Sequence, residues 1–174
     1  MRYFLMEQDE DCIDAPSIIN WYDKLDVRKI ERGLSGQLPQ RVLLDIRENA
    51  STVFTDIIST PFLLYSKKVK DSVHIYEPKM PDKQIVLLDS TNHLTELYFM
   101  PILERFDCLS DKSELSRDGS VVLRAILDEA QLPDRSIFKL GGTSGVYTIV
   151  RLDLAESMLR RGVRGVSLKE VDVL

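Results

Sequence analysis

The apolar residues of this chain come in short runs separated by charged or glycine- and proline-bearing stretches, a spacing that predicts many strands and few helices. The pattern is clearest near the C-terminus. Ile137, Phe138 and Leu140 form one run, Gly141, Gly142 and Gly145 punctuate it, and Val146-Tyr147-Thr148-Ile149-Val150 is β-branched and aromatic, so the segment reads as a hairpin. Asp153, with Glu156 three residues on, resembles a capping box and predicts a helix starting there, whose apolar face carries Leu154, Ala155, Met158 and Leu159. Arg160 and Arg161 suit the negative end of the helix dipole, and Gly162 suits a left-handed stop. Val166, Leu168 and Val171 then form a last strand.

Upstream, Arg2 to Met6 reads as an opening strand, and the dense charge of Glu7, Asp9, Glu10, Asp11 and Asp14 as a surface loop. Trp21, the sole tryptophan, is expected to anchor packing rather than a cofactor. Gly33 to Pro39 is a loop, Arg41 to Arg47 a strand, and Val53, Phe54, Ile57 and Ile58 have the spacing of a short helix ending before Pro61. Phe62 to Tyr65 is an apolar strand, Ser66 a helix cap for a short basic stretch through Lys70, and His74 to Glu77 an extended segment. Gln84 to Asp89 lacks alternation and predicts a mid-sheet strand buried on both faces. Leu94, Leu97 and Tyr98 suit a helix whereas Phe99 to Phe106, interrupted by Pro101, suits an irregular strand, and strand is the favoured reading of Leu94 to Leu109. Ser110 to Gly119 reads as a charged loop, and Val121 to Leu127 as a strand with helix the alternative. The order strand, cap, helix, strand occurs twice, which raises the idea of an internal duplication.

These elements predict one α+β domain over residues 1–174, with a mixed, largely antiparallel sheet on which strand-helix-strand units pack around a single core. Residues 1–40 are its N-terminal strand and loop region. The 23 basic and 28 acidic residues are spread along the chain for a net charge of −5, so no basic stripe is available for nucleic acid. An acidic surface favours encounter with a basic partner. Cys12 and Cys108 lie in separate contexts that suggest neither a disulfide framework nor a zinc pair. The opening residues turn acidic at Glu7 before a signal-peptide core develops, and no run is long enough to span a bilayer, so a soluble, cytoplasmic chain with no membrane partner is expected.

Catalytic chemistry finds little material. His74, read as part of a strand, and His93, in a polar turn, are expected to pack or face solvent rather than to activate a nucleophile. No His, Cys or carboxylate spacing matches a metal site, and none is predicted. Gly141-Gly142-Thr143-Ser144-Gly145 resembles a phosphate cradle, yet it lacks the lysine and the following helix of a P-loop and reads as a turn. Pairs such as Asp9 with Asp11 or Asp26 with Glu31 read as solvated charge. No catalytic residue, cofactor or metal is expected, and the chain is not read as an enzyme.

One family shares this order of motifs. Thr55-Asp56-Ile57-Ile58, Pro61 to Val69, His74-Ile75-Tyr76-Glu77-Pro78, Phe106-Asp107-Cys108-Leu109-Ser110, Ser136 to Leu140, and Leu154 to Val166 with its Gly162-Val163-Arg164-Gly165-Val166 ending resemble the immunity-protein-eleven family of bacterial polymorphic-toxin systems. The likeness runs over residues 41–174. The chain departs from the family in carrying Arg151-Leu152-Asp153 where the family has a serine before the last helix, and in its short mid-chain helix. The resemblance implies a protein that binds a cognate secreted toxin domain and occludes its active surface, with no catalytic residue to carry over. Glu7, Asp9, Glu10 and Asp11 are the expected contacts with a basic toxin face. The alternative is a non-catalytic structural or regulatory subunit that packs on a homologous partner, and a homodimer stays open.

Overall fold

Period-two alternation dominates the computed structural model, which describes residues 1–174. In chain order the elements are β1 (Tyr3–Gln8), β2 (Ile18–Ile19), α1 (Arg28–Glu31), β3 (Arg41–Ile46), β4 (Ile57–Ile58), β5 (Leu64–Tyr65), α2 (Lys67–Tyr76), β6 (Asp82–Asp89) and β7 (Leu94–Pro101). They continue as β8 (Arg105–Phe106), β9 (Glu114–Leu115), β10 (Val122–Arg124), β11 (Ile126–Leu127), β12 (Ile137–Leu140), β13 (Thr148–Arg151), α3 (Leu152–Arg160) and β14 (Val166–Val173). The fold is α+β with mixed, largely antiparallel strands, as expected, but the strands divide into two six-stranded sheets. The first runs β2-β3-β6-β7-β5-β4, the second β11-β14-β1-β13-β12-β8, and β9 and β10 form a separate two-stranded arm.

Five strands of each sheet share one topology, the sixth being β2 beside β3 in the first and β8 beside β12 in the second. In the first, β6 is parallel to β3 and antiparallel to β7, β7 is antiparallel to β5, and β5 to β4. In the second, β14 is parallel to β11 and antiparallel to β1, β1 is antiparallel to β13, and β13 to β12. Each half therefore contains a strand-helix-strand crossover that skips one position, and the skipped place is filled by β7 in one half and by β1, from the N-terminus, in the other. The correspondence extends to single bonds: Ser66 N–H donates to Asp56 O at 2.9 Å, and Arg151 N–H to Ser136 O at 2.8 Å. The repeated order expected from the sequence is thus present as topology and register, but its first copy closes with β6 rather than with His74 to Glu77, which belong to α2 and its end.

A single core gives way to three apolar clusters. Val69 and Val73 of α2 meet Leu154, Ala155 and Met158 of α3 between the inner faces of the sheets, where the counterparts Ile57 and Ile137, and Tyr65 and Val150, also lie. The outer face of the first sheet, with Leu44, Ile85, Leu87 and Tyr98, is covered by the segment around Leu25 and Leu38. There Trp21 is half-buried and stands edge-on to Phe62 at 5.6 Å, in the packing role expected of it. The outer face of the second sheet gathers Tyr3, Phe138, Leu140, Ile149 and Val171.

Ser66 caps α2 as expected, accepting from Val69 N–H at 3.5 Å. The helix then continues to Tyr76, so the extended reading of His74 to Glu77 is corrected. Val69, Ser72 and Val73 bury one helical face, and this tertiary contact outweighs the β-branched, aromatic local composition. The short helix expected over residues 53–58 is instead irregular chain leading into β4, because Ile57 and Ile58 pair with Tyr65 and Leu64. Asp153 is not the cap of α3: the helix begins at Leu152 with Arg151 in the cap position, and Asp153 sits in the first turn, where its carboxylate accepts from Leu154 N–H and pairs with Arg151 at 2.8 Å. Gly162 does end this helix, at φ 68°, with Val163 N–H donating to Met158 O. β6 lies mid-sheet as expected, but its burial alternates, Val86 and Leu88 being only half-buried.

Two carboxylates bind the halves together. Asp56, just before β4, accepts from the Ser66 hydroxyl at 2.6 Å, Arg164 N–H at 2.7 Å and Lys68 Nζ at 3.3 Å, so it holds the start of α2 to the turn after α3. Burial raises its pKa, but these donors outweigh that and hold it below the usual carboxylate range. At the opposite end, Glu77 after α2 accepts from Ser136 N–H at 2.7 Å and the Ser136 hydroxyl at 3.0 Å, just before β12.

Candidate protein-binding surface

Two surface depressions are large enough to receive part of a partner. One, of about 560 Å³, lies in the seam between the sheets and includes Ile30, Glu31, Ile102, Arg105 and Lys139. Its charges are mutually satisfied. Glu31 accepts from Lys139 Nζ at 2.7 Å and Arg105 at 3.4 Å. Burial pushes the Glu31 pKa up, but Lys139 and Arg105 outweigh it and the net shift is downward. Arg105 also donates to Thr143 O at 2.8 Å and Gly145 O at 3.1 Å, so this seam ties α1 and the β12–β13 turn to the second sheet. The contacts are those of an internal brace.

The second depression, of about 540 Å³, is different in kind. It lies on the outer face of the second sheet, between β1 and β14 on one side and the arm on the other. Leu5, Val171 and Tyr147 supply apolar surface, while Val121 and Leu123 of the arm are 47% and 66% exposed. Glu7 and Glu10 line it with the cations Arg124 and Lys169, while Glu170 and Asp172 border it along β14, where alternation directs their side chains to the opposite face from Lys169 and Val171. Lys169 pairs with Glu7 at 3.3 Å and Arg124 with Asp172 at 3.0 Å, whereas Glu10 has no ion pair. An apolar centre with a charged rim is the arrangement found in protein interfaces.

The arm is held over this face by specific bonds. Tyr147 Oη accepts from Val122 N–H at 3.0 Å, and Gly119 O accepts from the Thr143 hydroxyl at 2.8 Å and Ser144 N–H at 3.2 Å. A Cβ on Gly145 would lie 2.5 Å from both Ser120 O and the Tyr147 ring, so close packing of turn and arm requires glycine there. At the arm's own turn, the hydroxyls of Ser116 and Ser120 hold the Asp118 carboxyl down to about 2.

The four acidic residues singled out by sequence separate into two places. Glu7 belongs to β1 rather than to the loop, and Glu7 and Glu10 line the depression. Asp9 and Asp11 shape the turn that follows: Asp9 N–H donates to Gly165 O at 3.0 Å, and its carboxylate accepts from Asp11 N–H at 3.0 Å. Asp11 lines a separate hollow of about 180 Å³ with Cys12 and Val53. Sequence reasoning missed Val121, Leu123 and Tyr147, which form the apolar part of the surface. The available signal was an apolar Val121-Val122-Leu123 run beside a charged loop, which reads equally well as buried strand. The glycine-rich segment 141–145 forms the β12–β13 turn, in keeping with its turn reading, and His74 lies on α2 with Nε2 3.7 Å from Asp82. No group of three or more metal-ligating side chains is assembled, and no helix is long and apolar enough to cross a membrane. No family model matches this chain, and neither does any curated protein.

Proposed function

We propose that this chain is a binding protein of the immunity type, which neutralises a secreted toxin domain by covering its active surface. The observation that carries the reading is the second depression, where exposed Val121 and Leu123 adjoin the acidic Glu7 and Glu10. Apolar burial would hold such a complex, and the acidic rim would speed encounter with a basic toxin face. The resemblance of its motif order to that of the immunity-protein-eleven family points to the same reading. The test is co-expression in a sensitive host with the C-terminal domain of a large secreted toxin encoded next to this gene. Rescue of growth with a co-purifying complex is expected; intact toxicity without a complex would refute the reading.

One feature favours the alternative of a subunit that packs on a homologous partner. Leu43, Val86 and Leu97 form a cross-strand row over β3, β6 and β7, with Leu43 and Leu97 48% and 42% exposed. Sedimentation across a range of concentrations separates the readings, because the subunit reading requires self-association and the inhibitor reading does not.

A further inference from the structure

β14 is longer than the strand laid along its outer side. It pairs with β1 from Val166 to Val171 but with β11 only at Asp172 and Val173. From Val166 to Glu170 the second edge therefore carries no strand, over about 17 Å at the usual rise per residue. Asp9 N–H bonds Gly165 O on the β1 side, and Leu174 N–H bonds Leu127 O on the β11 side. Backbone groups alternate in direction along a strand, so Val166, Leu168 and Glu170 turn theirs toward the open edge.

The chain that could have continued along this edge leaves it. Before Ile126 the backbone swings away, Val122 pairs with Leu115, and its N–H goes to Tyr147 Oη. The 540 Å³ depression is the gap this departure opens, with the arm as one wall and Lys169 to Asp172 as the other. Charged side chains often guard such edges. Here they are drawn toward β1: Lys169 pairs with Glu7, and Glu170 with Arg2. The main-chain groups stay free of them.

We infer that the protein partner docks by adding an extended segment to the edge of β14 at Val166–Glu170, with a basic side chain of that segment meeting Glu10. This rests on the binding reading above. The added strand takes main-chain bonds from Leu168 and Glu170, and the depression selects the side chains that flank it. The basic chemistry of the occupant follows from Glu10, which lines the depression without a counter-ion, whereas Glu7 is paired with Lys169.

The test compares Glu170→Pro with Glu170→Ala. Both remove the exposed carboxylate, but only proline removes the outward N–H, and an edge strand tolerates proline where no ladder bond is lost. Capture of that toxin domain is measured for each variant by surface plasmon resonance. Amide exchange at Leu168 and Glu170 is followed in the unmodified chain, which keeps the test independent of how the proline variant folds. We expect Glu170→Pro to bind about 30-fold more weakly than Glu170→Ala, and both amides to slow by about 100-fold in the complex. Equal binding by the two variants, or amides that stay fast in the complex, overturns strand addition while leaving the binding reading standing. An unmodified chain that captures no toxin domain overturns both.

Discussion

Replacing Glu77 by alanine tests whether the halves are held by polar bonds at their junction. The carboxylate is 10% exposed and accepts from Ser136 N–H at 2.7 Å and the Ser136 hydroxyl at 3.0 Å, and Ser136 itself is 1% exposed. Truncation strands a buried backbone donor, which costs about 1–3 kcal/mol, and removes a hydroxyl bond worth about 1 kcal/mol. The pairing with Arg135, whose side chain is 45% exposed, adds little. The sum is about 3 kcal/mol, or a Tm lower by roughly 6–12 °C for a chain of this length. Glu77→Gln keeps a carbonyl acceptor for the Ser136 amide and is expected to lose about 1 kcal/mol, as is Ser136→Ala, which sacrifices only the hydroxyl. Urea titration of the three variants gives the free energies, and calorimetry the Tm. A loss below about 1 kcal/mol for Glu77→Ala would mean that water satisfies Ser136 and that the junction is held by apolar packing alone.

Other expectations concern charge, close packing and the surface. Because the Asp56 pKa is depressed in the folded chain, its stabilising contribution is complete above its unfolded value of about 3.9 and disappears as pH falls through the lower folded value. The stability gap between the native chain and Asp56→Asn should therefore be full at pH 7 and shrink on acidification, and a gap independent of pH would contradict this. Gly141→Ala places a Cβ 2.9 Å from the Phe106 carbonyl carbon and closer still to the Asp107 carboxylate, so a loss of about 1–3 kcal/mol is expected in urea titration. Replacing Glu7, Asp9, Glu10 and Asp11 together by serine should slow association with the toxin domain and flatten its salt dependence in stopped-flow measurements; an unchanged rate at low salt would exclude these residues. Glu7 and Glu10 should account for most of that effect. Leu123→Asp should weaken capture without lowering Tm, since Leu123 is 66% exposed.

Elements whose determinants are local could be read from residues alone. The β12–β13 hairpin, the Ser66 cap and the Gly162 stop each depend on a few neighbours, and each is where the residues place it. The failures occur where distant chain decides the outcome. His74, Ile75 and Tyr76 have the composition of a strand, but one helical turn earlier Val69 and Val73 pack into the central cluster and carry the helix past them. Ile57 and Ile58 have helical spacing with Val53 and Phe54, yet pairing with β5 makes them a strand. Asp153 lost the cap position by two residues because β13 runs directly into α3. For the surface, charge revealed Glu7 and Glu10, while Leu123 and the edge of β14 depend on where the arm leaves the second sheet, which no local pattern records.

The place of β1 has consequences for the order in which the protein can be assembled. The first sheet draws all its strands from residues 18–101, so a growing chain can complete it early. The second sheet needs its earliest and latest strands side by side, with Tyr3 opposite Val171. During synthesis β1 waits for β13 and β14, which emerge after every strand of the first sheet, and closure of this long-range pairing should govern the folding rate. A circular permutant that joins the end of β14 to β1 through a short turn would give both halves the same strand order and turn the slowest closure into a hairpin, which in isolation forms within microseconds.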